Sequence, residues 1–139
     1  MHRFLILLAL SVSPAASSVQ EGGLRAAAEQ ARRAWFAHDP VALVAQSPRL
    51  LVQLPGADPS VALGPAQAAA LLGDFIASAQ EVETVVRAAR EVGSGTGYVE
   101  LQRRYRIAGT QNVRVQVLLL SYRQLRAGWS LVEFRVVGG

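Results

Sequence analysis

The chain has 139 residues, 51% of them apolar and 17% charged, which suits one domain with a packed core rather than a disordered chain. All fourteen basic residues are arginine, against ten acids, and neither lysine nor cysteine occurs. Thiol nucleophiles, thiolate metal sites, disulfides, Schiff-base lysines and a P-loop lysine are therefore excluded.

Residues 1–18, MHRFLILLALSVSPAASS, have the layout of a secretory signal peptide. Arg3 supplies the basic start, and the apolar run 4–10 is too short to span a bilayer. Small residues at 15–18 offer a cleavage site, leaving a mature domain over 19–139. A secreted or periplasmic protein is expected, with no stable membrane span after cleavage and no cysteine for a lipid anchor. Thirteen arginines against ten acids is a mild excess, and an exported protein seldom meets nucleic acid.

In the mature part, Leu24, Ala28, Ala31, Trp35 and His38 recur at helical spacing and mark the buried stripe of a first helix. Glu29 is placed to pair with Arg33 at i+4. The helix should stop at His38, with Asp39 as N-cap and Pro40 as the first residue of a short second helix over 41–46. Leu50, Val52 and Leu54 alternate as a short strand before a Pro-Gly turn. Pro65 opens a third helix over 65–79, with Ala68, Leu71, Leu72, Phe75, Ile76 and Ala79 on one stripe.

From Glu81 the period becomes two, and four strands follow. The first carries Val82, Thr84, Val86 and Ala88 on one face. The second carries Val99, Leu101, Arg103, Tyr105 and Ile107. The third is apolar on both faces over 117–120 and should be the covered central strand. In the last, Ser130, Val132, Phe134 and Val136 alternate against Leu131, Glu133 and Arg135. The turn GSGTG lies between two strand patterns, so it reads as a hairpin rather than a phosphate loop. Helices first and a long antiparallel meander afterwards give an α+β domain, with N-terminal helices packed on a curved, mainly antiparallel sheet.

Three stretches, AHDPVALVAQ, GPAQAAALLGDFIAS and LRAGWSLVEFRVV, give this order a family likeness. The mature chain resembles the nuclear transport factor 2-like superfamily, whose cone-shaped fold is shared with ketosteroid isomerase and scytalone dehydratase. The middle piece, LPGADPSVALGPAQAAALLGDFIAS, is most similar to an uncharacterised family of small secreted bacterial proteins in that superfamily. The resemblance implies the cone fold and a bacterial cell-envelope setting. It implies no activity, because no catalytic constellation of the family's enzymes maps onto these residues.

Candidate site residues are few. Asp39 reads as a cap. His38 lies on the buried stripe, near where such folds open their pocket, and reads as a packed or helix-terminal residue or as a general base. Arg103 shares an apolar face, and a buried arginine needs a partner. It either pairs with an acid on a neighbouring strand, reaches a rim, or holds an anionic ligand; Tyr105 would share any pocket. The ligand-binding set is thus Trp35, His38, Arg103 and Tyr105, with His38 the one catalytic candidate, and no metal site or cofactor.

Other arginines, at 87, 90, 104, 106, 114 and 135, should alternate with Glu83, Glu91, Glu100 and Glu133 on the sheet's outer face. Leu118, Leu120 and Tyr122 share one face of their strand and read as an apolar patch for a homodimer through the sheet. The function expected first is a non-enzymatic envelope module binding a protein or a small apolar or anionic ligand. The alternatives are a small isomerase- or dehydratase-like enzyme using His38, and a dimerising assembly domain.

Overall fold

A computed structural model describes the backbone over residues 16–138 and side chains from residue 23 onward. The signal peptide expected over 1–18 lies almost wholly outside the described residues. Helix α1 (Ala16–Phe36) buries Leu24, Ala28, Ala31 and Trp35 along the expected stripe. It ends two residues before His38, in a Schellman turn: the His38 N–H donates to the Trp35 carbonyl and the Asp39 N–H to the Ala34 carbonyl, both at 2.9 Å. His38 occupies the left-handed position of that turn, with φ of 53°. Asp39 then caps α2 (Pro40–Val44), its Oδ1 accepting from the Ala42 N–H at 3.0 Å. One aspartate therefore closes the turn that ends α1 and starts α2.

Strand β1 (Leu51–Gln53) follows, then α3 (Pro65–Ile76). Ala68, Ala69, Leu72 and Ile76 of α3 are buried, while Leu71 and Phe75 are half-buried. The expected stripe overran the helix, because Ala79 begins the next strand. Strands β2 (Ala79–Glu91), β3 (Thr96–Ile107), β4 (Val113–Leu125) and β5 (Gly128–Val137) complete a five-stranded sheet of order β1-β5-β4-β3-β2. β1 runs parallel to β5; every other pair is antiparallel. The GSGTG segment is a hairpin turn, with Gly93 and Gly95 at positive φ and the Val92 N–H donating to the Thr96 carbonyl at 2.8 Å.

α1 lies across the inner face of the sheet, against β2, β3 and β5, and α2 joins it to α3. The approach is close at Gly97, where an added Cβ would stand 2.8 Å from Leu24 Cδ1. The core gathers Trp35, Leu72, Leu101, Leu118, Leu120 and Phe134, with Trp35 stacked on Phe134 at 5.3 Å between ring centroids. No helix of the described residues is long and apolar enough to cross a membrane.

Four strand expectations need correction. β4 is central, but only its inner side is covered; Val117 and Leu119 on the other side stay half-exposed. Leu118, Leu120 and Tyr122 are buried beneath the helices, so they are core and not a dimer patch. In β5 a register shift opposite Ser121 and Tyr122 turns Leu131 inward in place of Val132. In β2 register shifts fall between Glu81 and Glu83 and between Val86 and Ala88, which break the single face drawn through Val82, Thr84, Val86 and Ala88. The outer charge ladder is also thinner than expected: Arg104 pairs with Glu83 at 3.5 Å, whereas Arg87 donates to Gln102 and Arg135 to Gln53.

Candidate functional site

The bulge after Glu81 decides the polar content of the interior. Strict alternation would put Glu81 on the outer face with Glu83. The extra residue instead brings Glu81 opposite Tyr105, on the inner side, while Thr84 faces Arg103. Arg103 is buried, at 1% side-chain exposure, and Glu81 at 2%. The Glu81 carboxylate accepts from Arg103 through both Nε, at 3.2 Å, and Nη2. Arg103 Nη1 donates to Gln116 Oε1 at 3.1 Å, and Gln116 Nε2 donates to the Gly138 carbonyl at 3.1 Å. Aromatic rings flank the guanidinium, with Tyr105 at 4.0 Å, Trp35 at 4.8 Å and Phe75 at 6.0 Å from its central carbon.

The left-handed turn that ends α1 carries the His38 ring to this cluster, where Nε2 lies 3.2 Å from Glu81 Oε1. Its side chain keeps 29% exposure, so it forms the solvent side of an otherwise buried chain from His38 through Glu81 and Arg103 to Gln116. In the tautomer that carries its proton on Nε2, the ring donates to the Glu81 Oε1 that also accepts from Arg103. Nδ1 is then the nitrogen left to accept a proton.

All four residues of the expected ligand-binding set, Trp35, His38, Arg103 and Tyr105, thus converge on one place. Of the three readings for Arg103, pairing with an acid on the adjacent strand is the one the geometry shows. Glu81, the residue that organises the cluster, was missed because a bulge leaves no mark on a period-two pattern. Gln116 was missed likewise, being one polar residue at the inward edge of an apolar strand. Two buried polar atoms near the cluster, Trp35 Nε1 and Thr84 Oγ1, have no hydrogen-bond partner. Among the described residues, no group of His, Asp and Glu could hold a metal ion.

On the opposite face of the sheet, Arg90, Tyr98, Glu100, Leu119, Glu133 and Arg135 line an open groove of about 440 Å³. A second, of about 500 Å³, runs past Leu51, Arg123, Leu125 and Val132.

No protein-family model matches the chain, and no curated protein matches it in sequence. Solved structures match its backbone. A ketosteroid isomerase-like protein from Erwinia carotovora atroseptica superposes with a TM-score of 0.69 at 15% identity, over 84% of this chain and 94% of that one. A domain of unknown function with a cystatin-like fold from Nostoc punctiforme gives 0.68 at 18%, over 88% and 78%. An NTF2-like protein with a cystatin-like fold from Novosphingobium aromaticivorans gives 0.63 at 16%, over 86% and 81%. At such identities the likeness carries the backbone alone, and on that ground the chain has the nuclear transport factor 2-like, or cystatin-like, cone fold.

Proposed function

We propose that the chain is an exported, non-catalytic binding module of the bacterial cell envelope that engages a protein partner, a second copy included, through the outer face of its sheet. The observation that carries this reading is the internal saturation of Arg103. Glu81 and Gln116 occupy the guanidinium, and aromatic rings flank it, so this buried cation is already paired inside the protein. An anionic ligand there would have to displace Glu81. The outer face, by contrast, is open, with Tyr98 and Leu119 set among Arg90, Arg135, Glu100 and Glu133. Charges of both signs around an apolar centre can be matched by a second copy turned about a two-fold axis. Native mass spectrometry of protein purified from its host tests this. A dimer or a protein complex is expected, and an unpartnered monomer at micromolar concentration excludes it.

A second reading is favoured by one contact, that between His38 Nε2 and Glu81. With Glu81 orienting the ring, His38 Nδ1 could serve as the general base of a small isomerase- or dehydratase-like enzyme. Turnover of a carbonyl substrate abolished by His38→Gln would establish this reading. Binding without turnover, unaffected by that change, would remove it.

A further inference from the structure

A different cleft lies on the helix side, where α1 and α2 meet the β4–β5 end of the sheet. Its chemistry is neutral throughout: Gln30, Gln46, Ser47, Tyr122, Trp129 and Leu131 form it with Leu43 and alanines, in a protein with 17% charged residues. Ser47 is 2% exposed, and its Oγ has no hydrogen-bond partner. A buried hydroxyl left unsatisfied is unusual and calls for an external partner. Tyr122 is also buried, and desolvation raises the pKa of its hydroxyl, which keeps it a neutral donor. The space open to the centres of water-sized groups is about 30 Å³, room for about two of them. Half-buried Trp129 forms a wall, and exposed Gln30 and Gln46 bring amides to the rim.

We propose that this cleft binds a neutral, hydroxyl-bearing ligand of the sugar class, whose hydroxymethyl group enters beside Ser47. Two heavy atoms, one apolar and one hydrogen-bonding, match both the volume and the orphaned hydroxyl. The indole offers apolar contact to a sugar's C–H face, and the amides serve its ring hydroxyls. The absence of charged lining residues disfavours an ionic ligand, since nothing there offsets its desolvation. This inference goes beyond the outer-face reading and does not depend on it.

Glucose and xylose make the test, because they share ring hydroxyls and differ by the hydroxymethyl group. Titrating each into the ¹⁵N-labelled protein should give saturable shifts at Ser47, Tyr122 and Trp129 with glucose. The affinity should exceed that for xylose by roughly fivefold or more, as one buried methylene and one hydrogen bond require. Ser47→Val, which fills the recess and removes the hydroxyl, should erase the preference. Gln46→Ala, at the exposed rim, should weaken both sugars while leaving the fold intact. Equal affinities overturn the proposal, as does a cleft holding only ordered water that neither sugar displaces at about 100 mM, a concentration above the millimolar range of weak binding.

Discussion

Glu81 and Arg103, on neighbouring antiparallel strands, form a two-pronged ion pair with both side chains almost fully buried. Removing one partner from such a pair strands the other charge in the core, at a cost of about 3–5 kcal/mol. Arg103→Met and Glu81→Gln should each lower unfolding free energy by that order in urea titrations. The double variant Arg103→Met/Glu81→Met should recover at least half of the loss, since two apolar groups need no partner. Additive losses in the double variant would mean that the two side chains are not coupled.

His38 serves the fold before it serves any chemistry. A residue at φ of 53° pays a steric cost unless it is glycine. His38→Gly should therefore be more stable than His38→Ala by about 1 kcal/mol, and His38→Val should be the least stable of the three. Thermal melts read the order directly. If alanine equals glycine, the left-handed turn is absent in solution.

Much of this architecture was legible in the sequence. Trp35 on its four-and-three spacing, Asp39-Pro40 as a cap, and Arg103 as a charge stranded on an apolar face all stand where the pattern puts them. Bulges account for most of what the pattern hid. Period-two reasoning carries parity from one end of a strand to the other, and a single inserted residue inverts everything beyond it. The single face drawn through Val82, Thr84, Val86 and Ala88, and the grouping of Val132 with Phe134, failed for that reason. The sense of β4 was hidden for another, since a strand apolar on both sides gives no clue to which side the helices cover.

That last ambiguity yields a sharp contrast between neighbours. Leu118 is fully buried under the helices, whereas Leu119 lines the open groove. Leu118→Arg should abolish cooperative folding, because it places an unpaired charge in the core. Leu119→Arg should fold normally and dissociate the proposed dimer in light scattering. A folded Leu118→Arg protein would contradict the assignment of inner and outer faces.

Acid should expose a small, local contribution from α1. The Arg32 guanidinium, hydrogen-bonded to Glu29 at 2.9–3.0 Å through Nε, holds the carboxyl at about 2 against an ordinary value of 4.5, and Arg33 assists. The folded-state value lies below the unfolded one, so the stabilisation is complete above pH 4.5 and fades as pH falls towards about 2. Glu29→Gln should lower the melting temperature slightly at pH 7, and the gap to wild type should narrow across that acid window. A gap that stays constant would show that the pair contributes nothing; salt should shrink it, since the pair is solvent-exposed.

At Gly97 of β3 the Leu24 side chain of α1 stands close against the sheet backbone. An alanine there would put its Cβ 2.8 Å from Leu24 Cδ1 and 3.2 Å from Trp129 Cζ3, both nearer than side-chain carbons normally stand. The neighbours are side chains rather than backbone, so part of the strain can relax, and Gly97→Ala should cost about 1–3 kcal/mol rather than prevent folding. Shortening the opposing residue should restore space. Leu24→Ala alone opens a cavity and destabilises by about 2–5 kcal/mol, yet Gly97→Ala/Leu24→Ala should be more stable than the sum of the two losses predicts. Urea unfolding of the four proteins measures that coupling, and strict additivity would place Leu24 and Gly97 out of contact in solution.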